Sequence, residues 1–296
     1  MKSIVFQNST DSEGPVIVLI GKRGTGKSML VKDLLFHHRD ISVGTVISGT
    51  EIGNHFYASI IPRLFIHHSY ESEIVRKVLQ RQRIALRQCA TSKSIDPRTF
   101  LILDDCLFDD KWSRDKLMKL VFLNGRHWKV LLIITMQYPL GIPPLLRSNV
   151  DYTFILRENI LGNRKRIYDS YTTAFPSFEY FCQILDNTTE NYECMVIKNG
   201  GNSNKLHDQV FWYKAEIHQK FKLGSKEMWD LSDSMTFDDD DDDIFSSDKK
   251  SQTKLNVNVK EGNWIAAWCI LQSKLDTGEE VTASQSRESM TFIEKW

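Results

Sequence analysis

The sequence predicts an α/β protein, with a mostly parallel sheet flanked by helices and an acidic, partly disordered C-terminal tail. Three observations carry this. Short runs of aliphatic and β-branched residues alternate with stretches of helical periodicity. A glycine-rich loop joins the first such run to the first such helix. Six consecutive aspartates at 238–243 break the pattern near the C-terminal end.

In chain order, residues 1–14 read as a lead-in ending at Gly14-Pro15, a turn signal. Val16-Ile17-Val18-Leu19-Ile20 reads as a buried strand, and residues 29–36 have helical spacing. Residues 42–48 read as a second strand, ended by Gly49-Thr50-Glu51. From Glu51 to Ile61 a short helix is expected, stopped by Pro62. Residues 71–90 read as a long helix with Ile74, Val75, Val78, Leu79 and Leu86 on one side. Arg76, Lys77, Arg81, Arg83 and Arg87 crowd the remainder, as a solvated face or as a nucleic-acid contact.

Residues 99–105 form a buried-strand pattern closed by two acids. Ser113 is placed to N-cap a helix reaching about Leu123, with Asn124-Gly125 as its stop. Residues 130–135 and 150–156 are two further strands. Residues 163–186 read as helical but broken at Pro176. Residues 194–197 and 210–213 read as a hairpin around Asn199-Gly200-Gly201-Asn202, added at the sheet edge.

Composition divides the chain. Residues 1–230 hold 31 Lys+Arg against 24 Asp+Glu, whereas residues 231–296 hold 7 against 14. A mildly basic body with an acidic tail permits a polyanionic partner. The expected organisation is a lead-in at 1–14, an α/β domain at 15–230, and an acidic linker with a C-terminal extension at 231–296. Trp264 and Trp268 lie in a stretch that would form one amphipathic helix, docking on the body or on a partner. The five cysteines, Cys89, Cys106, Cys182, Cys194 and Cys269, are scattered, which fits reduced thiols in a cytosol-like compartment. No signal peptide or membrane-length apolar run is visible, so a soluble protein is expected.

The loop carries the first chemistry. Gly21-Lys22-Arg23-Gly24-Thr25-Gly26-Lys27-Ser28 fits G-x-x-x-x-G-K-[ST] at every fixed position, and Met29 begins the helix after it. Glycines let successive N–H groups point into one concavity suited to a polyphosphate, and the helix N-terminus adds partial positive charge. Lys27 would reach the terminal phosphates, and the Ser28 hydroxyl would take a place on Mg²⁺. Asp104 closes an apolar strand, where a carboxylate holds the metal of a nucleotide site. Asp105 would orient or deprotonate an attacking water, or else cap the next turn. Asp109 and Asp110 read as turn acids. Gln137, past the next strand, either senses the γ-phosphate or forms a turn. Arg147 is either a finger acting on a neighbouring subunit's nucleotide or an ion-pair partner of Asp151, and Arg126 and His127 raise the same choice.

Other site types fit poorly. His37-His38 and His67-His68 are neighbours in sequence, which does not place both rings on one helical face for zinc. No G-x-S-x-G occurs. Asn204-Lys205-Leu206-His207 puts His where a guanine-reading motif needs an acid, so GTP specificity is not supported.

Taken with further blocks, these residues resemble the poxvirus-type DNA-packaging ATPases of large nucleocytoplasmic DNA viruses, within the HerA–FtsK superfamily. The blocks are Ser48-Gly49-Thr50-Glu51, Leu103-Asp104-Asp105-Cys106, Asn124-Gly125-Arg126-His127 and Thr135-Met136-Gln137-Tyr138-Pro139-Leu140-Gly141-Ile142-Pro143-Pro144. Arg147-Ser148-Asn149-Val150-Asp151-Tyr152 and Phe211-Trp212-Tyr213-Lys214-Ala215 extend the resemblance, which covers roughly 15–230.

The resemblance implies a RecA-like P-loop NTPase core with 5-1-4-3-2 strand order. It implies ring-shaped, hexameric oligomers that use ATP to push double-stranded DNA into a viral particle. Carried over by position, Lys27 and Ser28 bind phosphate and Mg²⁺, Asp104 binds the metal, Gln137 is the sensor and Arg147 the finger in trans. Asp105 stands where the superfamily commonly has a catalytic Glu, with a shorter reach. The implied location is the host cytoplasm in a viral factory, and the virion, with capsid or membrane proteins as further partners. The residues alone also allow a P-loop kinase of a nucleoside or metabolite, or a non-hydrolysing nucleotide-dependent scaffold.

Overall fold

The computed structural model describes residues 2–3, 14–91, 96–106, 111–172, 174–200, 203 and 205–234. The aspartate run, the Trp264–Trp268 stretch, Asp109, Asp110 and Asn204 lie outside them. Residues up to Ser225 form one unit. A helix at Lys226–Ser234 belongs to a second and is described only by itself.

The strands are β1 (Lys2–Ser3), β2 (Val16–Ile20), β3 (Gly44–Ser48), β4 (Ile66–His67), β5 (Thr99–Asp104), β6 (Val130–Met136), β7 (Tyr152–Ile155), β8 (Glu193–Lys198) and β9 (Val210–Lys214). They form one sheet in the order β1-β9-β8-β7-β2-β6-β5-β3-β4. Its central five strands run 5-1-4-3-2 when β2, β3, β5, β6 and β7 are counted in turn, all parallel. That is the order the resemblance implies. β8 and β9 add antiparallel pairing, but the connection between them carries a one-turn helix at Leu206–Gln209 rather than a tight hairpin. β9 is not the sheet edge either, because β1 pairs with it in parallel.

Every residue of β2, β3, β5 and β6 is buried, as expected of parallel strands covered on both faces. Side chains alternate between the faces. Val16, Val18, Ile20, Leu101, Leu103, Leu132 and Ile134 share one core with α3 (Ser72–Thr91), α5 (Lys116–Asn124), α7 (Leu161–Tyr171) and α8 (Phe178–Thr188). The opposite face, with Ile17, Leu19, Ile102 and Phe154, receives α1 (Lys27–His37) through buried Leu30, Val31, Leu34 and Leu35. Asp33, fully buried on α1, accepts hydrogen bonds from Tyr213 Oη (2.5 Å) and pairs with His218.

Three local expectations are corrected. Glu51 to Ile61 is not one helix: α2 spans Glu51–Asn54, His55 turns left-handed (φ 47°), and a 3-10 turn follows at Tyr57–Ser59. The Glu51 carboxylate, itself buried, takes the Tyr57 and Ala58 N–H groups at 2.9 and 2.7 Å, so it organises the segment without a continuous helix. Ser113 lies inside a short helix, α4 (Lys111–Arg114), and the true cap of α5 is Asp115, which accepts from Leu117 N. The stop at Asn124-Gly125 is as expected; Gly125 is right-handed there, and it is the close approach of Val121 O, 2.4 Å from an added Cβ, that demands glycine. Arg81 is not on the basic surface of α3, because it is buried and donates to Thr99 Oγ1 at 2.5 Å.

Candidate active site

The phosphate loop follows β2 and runs directly into α1. Gly24 and Gly26 adopt φ of 79° and 99°, a region L side chains rarely enter, so glycine is required there. Gly26 stands at the N-cap of α1 with no side-chain cap and no acid in the first turn, leaving the helix's positive end to a ligand. Lys27 Nζ donates to the carbonyls of Gly21 (2.8 Å) and Lys22 (3.0 Å), within the loop it is expected to serve. Burial lowers the Lys27 pKa, while the charges of Asp105 and Asp104 pull it back up. Lys22 faces elsewhere, in an ion pair with buried Glu158 at 2.9 Å. Burial opposes the Glu158 charge, but hydrogen bonds from Ile160 N, Lys22 and Asn163 outweigh it and hold that carboxyl below its ordinary range. Arg23, Ser28 and Met29 are exposed around the loop.

Beside the loop lies a polar row that register builds. Ser48, Asp104 and Thr135 are direct Cα partners across β3, β5 and β6, at the C-terminal ends of the strands. The Thr135 hydroxyl donates to Asp104 Oδ1 at 2.6 Å, and Ser48 Oγ lies 3.5 Å from Oδ2. Burial raises the Asp104 pKa; hydrogen bonding from Thr135, the neighbouring Tyr57 hydroxyl and the Lys27 charge offset part of that rise, and the Asp105 charge adds to it. The Tyr57 hydroxyl is fully buried beside Asp104 but outside hydrogen-bonding geometry.

Asp105 turns away from the strand with φ 53°, a strained conformation for a residue other than glycine. Its N–H donates to Thr135 Oγ1 at 3.0 Å. Its carboxylate accepts from Gln137 Nε2 at 2.6 Å, and Gln137 is exposed rather than buried at the edge. Lys27, Asp104, Asp105 and Gln137 therefore share one site. Arg147 does not join them among the described residues. It ends a short helix, α6 (Pro144–Arg147), with its guanidinium 5.6 Å over the Tyr171 ring. Nor does it pair with Asp151, which instead binds Arg126 and accepts from Val16 N at 2.8 Å.

Sequence reasoning missed Ser48, Thr135, Tyr57 and Glu158. Ser48 and Thr135 were the findable pair, since each is a hydroxyl at or next to the C-terminal end of a mostly apolar strand. Away from the loop, Asp33, His37 and His218 are the one group of His, Cys, Asp or Glu close enough for a metal ion among the described residues. Sequence adjacency paired His37 with His38, but the fold pairs it with His218. Asp33 is already hydrogen-bonded by Tyr213, which reads as a buried structural tie.

Loop, buried carboxylate and strand-end amide on a 5-1-4-3-2 sheet define a nucleotide site of the P-loop NTPase kind. The chain belongs to the Poxvirus A32 protein family, whose model matches residues 6–167. It is similar to uncharacterized protein L437 of Acanthamoeba polyphaga mimivirus, 37% identical over 83% of this chain and 92% of that protein. Uncharacterized protein 075L of Invertebrate iridescent virus 6 is 43% identical over 68% of this chain and 78% of its own length. Among solved structures, the genome packaging NTPase B204 from Sulfolobus turreted icosahedral virus 2 with ATP-gammaS aligns at 16% identity and a TM-score of 0.46. That alignment covers 69% of this chain and 99% of B204.

Proposed function

We propose that the chain hydrolyses ATP with Mg²⁺ to drive double-stranded DNA into a viral particle. The observation that carries the hydrolytic part is the Ser48–Asp104–Thr135 row beside the loop, with Asp105 and Gln137 at its edge. The residues fit the group. The capless α1 terminus and the backbone of residues 21–29 suit the phosphates, and Ser28 with Asp104 offers the hard oxygen donors Mg²⁺ takes. Bound there, the ion would neutralise charge on the terminal phosphates. Lys27 balances the same charge from the loop. Asp105 takes a proton from the attacking water as its oxygen bonds to the γ-phosphorus and the bond to the bridging oxygen breaks, giving ADP and phosphate. Gln137 orients that water or a γ-oxygen.

B204, described as a genome packaging NTPase, supplies an analogy for the DNA part rather than an argument. In this reading the subunits form a ring, and Arg147 reaches a neighbour's nucleotide. DNA is held through its phosphates by Lys and Arg, without sequence reading. The 15–230 body suffices for these steps, with 231–296 as a docking or regulatory extension, in a viral factory and in the virion. Among the described residues no helix is long and apolar enough to cross a membrane. ATP turnover with and without double-stranded DNA tests the proposal. Stimulation that vanishes in Lys27→Ala is expected, with DNA affinity falling steeply with salt. Normal turnover by Lys27→Ala would sink it, and phosphoryl transfer to a nucleoside without DNA stimulation would favour a kinase.

A further inference from the structure

Tyr192 is out of place for an ordinary surface residue. It is a large aromatic side chain left 73% exposed. Its backbone is left-handed (φ 63°), as is that of Asn191 before it (φ 49°). Two consecutive non-glycine residues in that region are costly, and an aromatic one is an outlier that the surroundings must hold in place. A turn in which Glu193 N donates to Glu190 O at 2.8 Å does so.

The place it holds is the phosphate loop. β8 runs antiparallel to β7, so the start of β8 lies at the end of the sheet where β7 finishes. That end adjoins the loop: Leu156 N donates to Ile20 O at 2.9 Å, and a Cβ added at Gly21 would lie 2.9 Å from Leu156 Cβ. The Tyr192 ring then reaches Gly26, where an added Cβ would sit 3.4 Å from its Cδ1. Gly26 immediately precedes Lys27, so the ring stands at the mouth of the phosphate cradle. In a loop of this type the backbone takes the α- and β-phosphates and the lysine the β- and γ-phosphates, so the sugar and base, carried by the α-phosphate, leave the cradle at its mouth.

We infer that Tyr192 is the face on which the base of the bound nucleoside triphosphate stacks. This rests on the nucleotide reading above. An aromatic face suits a purine because both are flat and apolar in the middle, and stacking tolerates any base without reading its edge. The turn fixes the backbone from which the ring projects, so that part of the ordering is already made before binding.

The test is the affinity of Tyr192→Ala and Tyr192→Phe for two probes, ATP and inorganic tripolyphosphate, each with Mg²⁺. Tripolyphosphate fills the cradle but has no base. Tyr192→Ala is expected to bind ATP about tenfold more weakly and tripolyphosphate within about twofold of the parent, with Tyr192→Phe restoring ATP binding. Equal losses for both probes would make Tyr192 a support for the loop, and unchanged ATP binding would leave it no role at the base. Either result overturns the inference. Lys27→Ala separates it from its premise. If the parent chain binds ATP through Lys27 while Tyr192→Ala binds as tightly, only the stacking role fails. If the parent binds neither probe, the nucleotide reading fails and takes this inference with it.

Discussion

Gln137 Nε2 donates to Asp105 Oδ2 across 2.6 Å, joining the two residues that follow β6 and β5 at the open end of the sheet. The bond runs between an amide and a carboxylate that sequence reading assigned to separate tasks, sensor and base. Thr135 draws them closer, because its hydroxyl accepts from Asp105 N and donates to Asp104 Oδ1. Gln137, Asp105 and Asp104 are thus one connected network. The Gln137 amide still has a second N–H and a carbonyl with which to meet a phosphate oxygen or a water.

Gln137→Ala should therefore damage the chemical step rather than binding. Removing a positioned donor costs about 10²-fold in rate where it orders the reacting groups. Single-turnover hydrolysis should fall by about that factor, with ATP affinity within about twofold. An equal loss in affinity would make Gln137 a binding residue. Gln137→Glu should be no better, since it sets a like charge against Asp105.

Asp104→Asn should separate stability from function. Burial raises the Asp104 carboxyl pKa, and the Asp105 charge adds to it. A folded pKa above the unfolded one means that the ionised form opposes folding at neutral pH. The asparagine keeps an oxygen for Thr135 and sheds the charge. Without ligand, the variant should melt about 2–4 °C higher, the shift expected for about 1 kcal/mol in a domain of this size. With Mg-ATP present it should lose the added stabilisation the parent shows. A lower melting temperature without ligand would contradict the argument.

The sheet was legible because its strands are apolar throughout, and such runs announce burial on both faces whatever their neighbours. The loop was legible because glycine, lysine and serine at fixed spacing have few other uses. Asp104 was legible as the acid ending a strand. What the chain order hides is register. Ser48, Asp104 and Thr135 are 56 and 31 positions apart, and only pairing in the sheet makes them one row. Tyr192 was hidden for the same reason, being brought to Gly26 by the antiparallel return of β8. Arg81 misled because five basic residues on one helix suggest a surface, while a hydroxyl at the start of β5 draws one of them inward.

Glu51 should matter to the fold as a carboxylate rather than as a helix former. Its two oxygens hold the Tyr57 and Ala58 amides in a buried setting. Hydrogen bonds to a charged group contribute about 1.5–3 kcal/mol each, so Glu51→Ala should lower stability by about 3 kcal/mol or more in urea unfolding. Glu51→Gln, which keeps one acceptor, should lose about half as much. The same segment carries Tyr57 to Asp104, so Glu51→Ala should also weaken Mg-dependent nucleotide binding. A loss under 0.5 kcal/mol would show that water replaces the carboxylate.

Acid should weaken the fold well before the carboxylates titrate. His67, on the short strand β4, has its pKa lowered to about 4, chiefly by burial and then by the charge of Lys77 and by His68. Its unfolded value is near 6.5, so between the two the unfolded chain binds the extra proton. Stability from this group is complete above pH 6.5 and declines as pH falls toward 4. From pH 7.5 to pH 5 the decline should be about 2 kcal/mol, read from urea midpoints. Burial also lowers the His38 pKa, adding a smaller slope of the same sign. Asp96 and Asp115 are held below their ordinary range by hydrogen bonds that outweigh burial, so their contribution is lost only below about pH 4. The drop between pH 6.5 and 5 therefore belongs to the histidines. His67→Gln should flatten most of it, and an unchanged slope in that variant would assign the acid sensitivity elsewhere.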